Sequence, residues 1–156
     1  MNTIFKKLNY KDQKEILVIN APSSFDKEMD EMKSYAIVKT KATGTKAVEF
    51  ALAFAIKQQD VDSAAKLVAP LIQGDVILWF AYPKGSSKKY KCEFNRDNGW
   101  AVLGKLGFEP VRMVAIDEDW SALRFRKTSH IKTMTRSSAI SDAGKKRIAE
   151  PKKKKP

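Results

Sequence analysis

A single cysteine, Cys92, and a single histidine, His130, stand in 156 residues. The lone thiol excludes an internal disulfide, and the two residues together cannot supply a Cys/His metal site. They form a nucleophile–base pair only if the fold happens to bring them together. No apolar run reaches the roughly 18 residues that a membrane span requires. The opening stretch MNTIFKKLNYKDQKE lacks the apolar core of a secretory signal. The expectation is a reducing, cytoplasmic setting with no membrane partner, no bound metal and no cofactor. No Gly-rich phosphate loop follows the first apolar run either, and PKGSSK lacks the GxxxxGK[ST] spacing of a P-loop.

What the chain does have is positive charge, with 30 Lys and Arg against 18 Asp and Glu for a net of +12. Most of it sits at one end. Residues 127–156 hold ten basic and two acidic side chains, a net of +8, which leaves +4 for the first 126 residues. The length suits one domain with a core of useful size. We therefore expect a single α/β domain over residues 1–127 and a basic, disordered tail over residues 128–156, where hydrophobic periodicity stops.

The stretch DVILWFAYP at residues 75–83 is a near-continuous apolar run of β-branched and aromatic residues, which suits a buried strand. It opens into the polar loop KGSSKKYK. Upstream, KEILVIN (14–20) reads as a first strand running into Ala21-Pro22, and Ser23 or Ser24 is placed to cap a helix whose Phe25, Met29 and Met32 share a face. YAIVKT (35–40) reads as a second strand. In KAVEFALAFAI (46–56) the period-two alternation of Val48, Phe50, Leu52, Phe54 and Ile56 indicates a third. Asp60 or Asp62 can cap the next helix, which Pro70 kinks or ends. Downstream, Asn95 or Asp97 can cap a helix carrying Trp100, Leu103 and Leu106 on its sheet-facing side, stopped by Gly107. PVRMVAI (110–116) and WSALRFR (120–126) flank a short acidic connection and read as an antiparallel hairpin. Strands alternating with helices predict a three-layer, Rossmann-like, mostly parallel sheet finished by that hairpin.

Four segments carry a resemblance: Asn20-Ala21-Pro22, Tyr82 to Ser86 (YPKGS), Asn95-Arg96-Asp97 and Trp120 to Arg126. In that order they resemble a bacterial family of small uncharacterised proteins, which implies an α/β fold and no defined activity. The order of elements is also similar to a shortened class I methyltransferase. Such enzymes place a glycine-rich loop after strand one and an acidic residue near the end of strand two. Here those places read Asn20-Ala21-Pro22-Ser23-Ser24 and Lys39-Thr40-Lys41, which argues against S-adenosylmethionine.

Ligands of open parallel sheets bind at the carboxyl ends of the strands. That edge is expected to carry Asn20, Ser23, Ser24, Lys39, Lys41, Lys57, Tyr82, Lys84, Gly85, Ser86, Ser87 and Lys88, basic and hydroxyl-bearing with no carboxylate. Lysine ammonium groups and Gly/Ser backbone N–H groups suit phosphate oxygens, but they suit general acid–base work poorly. A solvated loop is the simpler reading of the same lysines. Asn95 and Arg96 could complete an anion site, although a helix cap and a local ion pair explain them as well. Trp120 and Arg124 could stack on or clamp a ligand, or merely pack. Asp117, Glu118 and Asp119 invite a metal reading, but three acids in a hairpin turn read more simply as a solvated turn. Cys92, beside Lys88, Lys89, Lys91 and Arg96, would have a lowered pKa if exposed, but with no base visible beside it an inert thiol is the simpler reading. Lys145, Lys146, Arg147, Lys152, Lys153, Lys154 and Lys155 can neutralise nucleic-acid phosphates.

The sequence thus reads as a non-enzymatic domain binding an anionic partner, nucleic acid or a phosphate-bearing ligand, through the basic loop and the tail. The alternative is a small methyltransferase-like enzyme acting on a nucleotide or phosphorylated substrate, and a third reading is dimerisation through an edge strand. Anisotropy of labelled oligonucleotides, with the full chain and with one ending at Lys127, tests the tail. The expected outcome is binding that disappears with the tail and falls steeply from low to physiological salt. Binding kept by the shorter chain and weakened by Lys84→Ala and Lys88→Ala would place the site on the loop instead.

Overall fold

In the computed structural model, residues 2–94 and 98–130 are described. Six strands form one sheet: β1 (Glu15–Ile19), β2 (Ile37–Lys39), β3 (Val48–Phe54), β4 (Ile72–Pro83), β5 (Phe108–Ala115) and β6 (Trp120–Lys127). Their spatial order is β2-β1-β3-β4-β6-β5. The first four are parallel neighbours, and β6 runs antiparallel between β4 and β5. The helices are α1 (Thr3–Lys7), α2 (Asp26–Met32), α3 (Gln58–Val68) and α4 (Ala101–Lys105). This is the expected Rossmann-like α/β sheet with its closing hairpin.

Alternation along β3 and β4 divides the core into two layers. Ala51, Ala53, Leu78, Phe80 and Tyr82 face Val61, Ala65 and Val68 of α3 and Leu103 of α4, with Trp100 beside them. Phe50, Leu52, Phe54, Ile77, Trp79 and Ala81 face Phe5 of α1, Leu8, Phe25 and Met32 of α2. The small side chains of Ala51 and Ala53 on one face and the rings of Phe50 and Phe54 on the other explain why the run alternates in size rather than in polarity.

Helix α1 lies upstream of the first element read from the sequence. Asn2 caps it, its Oδ1 accepting from the backbone N–H groups of Ile4 and Phe5 at 3.0 and 3.1 Å. The helix buries Phe5, and Leu8 just beyond it is also buried. Trp79 Nε1 donates to Leu8 O at 2.8 Å and fastens this segment to the middle of β4.

The caps differ from expectation. A 3₁₀ turn at Ser23–Phe25 precedes α2, whose N-cap is Phe25, so neither Ser23 nor Ser24 caps it. Helix α3 begins one turn early, at Gln58. Asp60 therefore acts from the third helical position, its Oδ2 accepting from the N–H groups of Ile56 and Lys57, both at 3.0 Å. Helix α4 starts at Ala101 with Trp100 as N-cap, and the expected cap residues Asn95 and Asp97 lie outside the described residues. Leu106 is 40 % exposed rather than core-facing. Two expected stops are in place: α3 ends at Val68 before Pro70, and Gly107 at φ +91° follows α4.

Replacing Trp79 by Phe removes the donor to Leu8 O and should destabilise the fold by about 1–3 kcal/mol through the unpaired carbonyl. Trp79→Ala should cost about 3–5 kcal/mol because a cavity is added. Urea unfolding followed by far-ultraviolet circular dichroism measures both.

Candidate functional site

The chain leaves β1 towards one side of the sheet to form β2, then returns to form β3 on the other side. The carboxyl ends of β1 and β3 therefore diverge, and their following loops leave a crevice between them. A cleft of about 390 Å³ opens there, lined by Asn20, Pro22, Ser23, Phe54, Ile56, Asp60, Tyr90 and Trp120. Asn20 ends β1 in the left-handed region at φ 58°, a conformation asparagine tolerates better than most residues. Its turn carries Pro22 and Ser23 to the rim.

The aromatic wall comes from three distant segments. The Trp120 ring centroid lies 5.0 Å from that of Phe54 and 5.0 Å from that of Tyr90, and Phe54 in turn meets Phe25 at 5.0 Å. Trp120 is 2 % exposed, and among the described residues its buried Nε1 has no hydrogen-bond partner. Such a group carries a desolvation cost. Asp60 is the carboxylate of the lining, and its Oδ2 holds the chain where β3 turns into α3.

The loop after β4 reaches the cleft through Tyr90 and is tied to the hairpin turn. Lys84 N donates to Asp119 O and Ser87 Oγ to Asp119 Oδ1, each at 2.8 Å. Ser87 Oγ accepts from Lys89 N and Tyr90 N. In the turn, Asp117 Oδ1 accepts from Asp119 N and Trp120 N at 2.8 and 2.9 Å. Asp117 and Asp119 therefore order the backbone beside Trp120.

Of the residues picked from sequence, Asn20 and Ser23 meet in the cleft. Tyr82 does not join them: it is buried on the α3 side, with its hydroxyl donating to Met113 Sδ at 3.3 Å. Ser87 faces Asp119, while Gly85, Ser86 and Lys88 are exposed on the loop and Lys84 is half-buried. Lys39 pairs with Glu15 at 3.4 Å, away from the cleft lining. Asn95 and Arg96 lie outside the described residues, as do Lys145, Lys146, Arg147 and Lys152 to Lys155. The edge expected to be free of carboxylates and rich in lysine is, at the cleft, aromatic and includes Asp60. Reading missed Phe54, Ile56, Asp60 and Tyr90 as lining residues. Asp60 was legible as a cap, but its place at the β1–β3 crevice was not.

No family model matches the chain, and no curated protein matches it. Among solved structures it is similar to one from Sulfolobus solfataricus assigned to the type 11 methyltransferases, with a TM-score of 0.50 and 14 % identity over 87 % of this chain and 95 % of that one. The likeness is one of fold. It supports the methyltransferase-like layout inferred from the order of strands and helices. Among the described residues no helix is long and apolar enough to cross a membrane.

Burial, rather than the nearby lysines, governs Cys92. Desolvation raises its thiol pKa above the usual value, with Glu93 adding to the rise and backbone hydrogen bonding to Phe94 and Glu93 opposing it. Reactivity requires the thiolate, so iodoacetamide should alkylate Cys92 more slowly at pH 8 than a small free thiol. The rates should converge only at higher pH or on unfolding.

Proposed function

We propose that this protein is a small-ligand-binding domain that seats a planar, ring-bearing anion, a nucleotide or a similar phosphorylated compound, in the cleft at the carboxyl ends of β1 and β3. One observation carries the reading: an open cleft at the topological switch point, walled by Phe54, Tyr90 and Trp120. Rings and apolar walls with a few polar groups at the rim are what a small-molecule site of this size offers. Asn20 and Ser23 supply amide and hydroxyl groups at the rim. The loop that delivers Tyr90 also carries Lys84, Lys88 and Lys89, whose charge favours a phosphate held outside the aromatic wall.

The shared fold supports the enzyme alternative, acting on the same kind of ligand. S-adenosylmethionine fits these residues poorly. Asn20-Ala21-Pro22 stands where a glycine would let the backbone approach the cofactor, and Lys39-Thr40-Lys41 stands where an acid would hold ribose hydroxyls. Asp60 has Oδ2 occupied by two backbone donors, a structural duty that suits a general base badly. A binding role is therefore favoured.

Tryptophan fluorescence titrated with adenine and guanine nucleotides at about 0.5 M salt, where exposed charges are largely screened, tests the cleft apart from the tail. Saturable quenching is expected, with Tyr90→Ala and Asn20→Ala each weakening binding about tenfold, or 1.4 kcal/mol, without loss of folded circular dichroism. Affinity that vanishes with added salt, or is unchanged in both variants, would refute the proposal.

A further inference from the structure

The second half of β6 bears a cluster that the cleft does not use. Trp120, Ala122, Arg124 and Arg126 alternate onto the sheet face that α1 and α2 cover. Arg124 lies four residues beyond Trp120, or about 13 Å along the strand from the cleft. In register, Arg124 stands between Trp79 of β4 and Arg112 of β5. A register shift between Pro110 and Arg112 creates the latter pair. With regular pairing Arg112 would oppose Leu123 and fall on the other face.

Two guanidinium-bearing side chains directly opposite on adjacent strands repel one another. Arg126 follows two residues later on the same face, where Asp75 binds it through both Nε and Nη2, the Nε contact at 3.0 Å. Glu109 is buried opposite Arg126 in register. Arg124 has no such match at its Nε, which is buried without a hydrogen-bond partner among the described residues. Burial first, and then the neighbouring charges of Arg126 and Arg112, lower its proton affinity, while Asp75 opposes the effect. Arg112 is exposed and leaves the cluster open to solvent.

We infer that Arg112 and Arg124, beside the Asp75-paired Arg126, form a binding site for a compact polyphosphate anion on the β5–β6 face. Planar guanidinium forks match phosphate oxygens with paired hydrogen bonds. Cα positions directly opposite on antiparallel neighbours lie about 4.5–5.5 Å apart, a span that favours two linked phosphates over a long polyanion. An anion there relieves the Arg112–Arg124 repulsion and offers an acceptor to the Arg124 Nε–H.

Inorganic pyrophosphate is the probe, with the full chain throughout. Nitrogen-15 spectra of the arginine Nε–Hε groups should show one strongly shifted, saturable signal, assigned to Arg124 by its loss in Arg124→Lys. Calorimetry should give binding at least tenfold weaker in Arg112→Gln, whose side chain is exposed and whose fold should persist, and unchanged in Lys66→Gln on the far helix α3. Binding of the same affinity in Arg112→Gln would assign pyrophosphate to the tail or loop and overturn the inference. An Arg124 signal that stays still at saturation, or one that moves only with a single-stranded oligonucleotide, would overturn it too.

Discussion

Two neighbouring strands, β3 and β4, must be buried on both faces at once, and most of the molecule follows from that constraint. A parallel pair cannot leave one face to water without exposing Phe50, Phe54 and Trp79 or Phe80 and Leu78. One layer comes from α3, α4 and Trp100, the other from α1, α2 and Leu8. Trp79 binds the second layer by a hydrogen bond that closes 71 residues of chain. A five-residue helix has little stability of its own, so α1 persists because this contact and Phe5 hold it down.

The same constraint positions the cleft. Once both faces are covered, the strand ends are the open part of the parallel sheet, and the divergence of β1 and β3 makes the crevice. The hairpin then contributes Trp120 from the antiparallel side, and the loop after β4 contributes Tyr90. The wall is therefore assembled from groups far apart in the chain, and acids order the segments that carry it: Asp60 at the β3–α3 turn, Asp117 in the hairpin turn, and Asp119 against Ser87. Acids that a sequence reader would weigh as metal ligands are here backbone and hydroxyl acceptors.

The two ends of β6 differ in chemistry. At its start the strand supplies an aromatic ring to a cleft, and further along it supplies guanidinium groups to a face. Strand periodicity alone separates these duties, since Trp120, Arg124 and Arg126 share a side while Leu123 and Phe125 pack on the other. The WSALRFR segment thus combines core, cleft and charge in seven residues. This is why it stood out as a motif and why its composition could not say which residue did what.

Local chemistry settled much of the architecture in advance. Apolar runs of strand length, helical spacing between them, Pro70 and Gly107 as stops and a three-residue acidic connection specify β–α alternation and a closing hairpin, because each signal acts within a few residues. Asn20 and Ser23 were legible as strand-edge residues for the same reason, since they follow the first strand. Tertiary structure alone decided what meets across the sheet. Tyr82 turned to the α3 side because its parity on β4 put it there. Asp60 and Tyr90 became neighbours of Trp120 through the strand order. A single register shift beside Pro110 brought Arg112 onto the face of Arg124, and the pairing of distant strands, which the residues themselves do not encode locally, fixes such a shift.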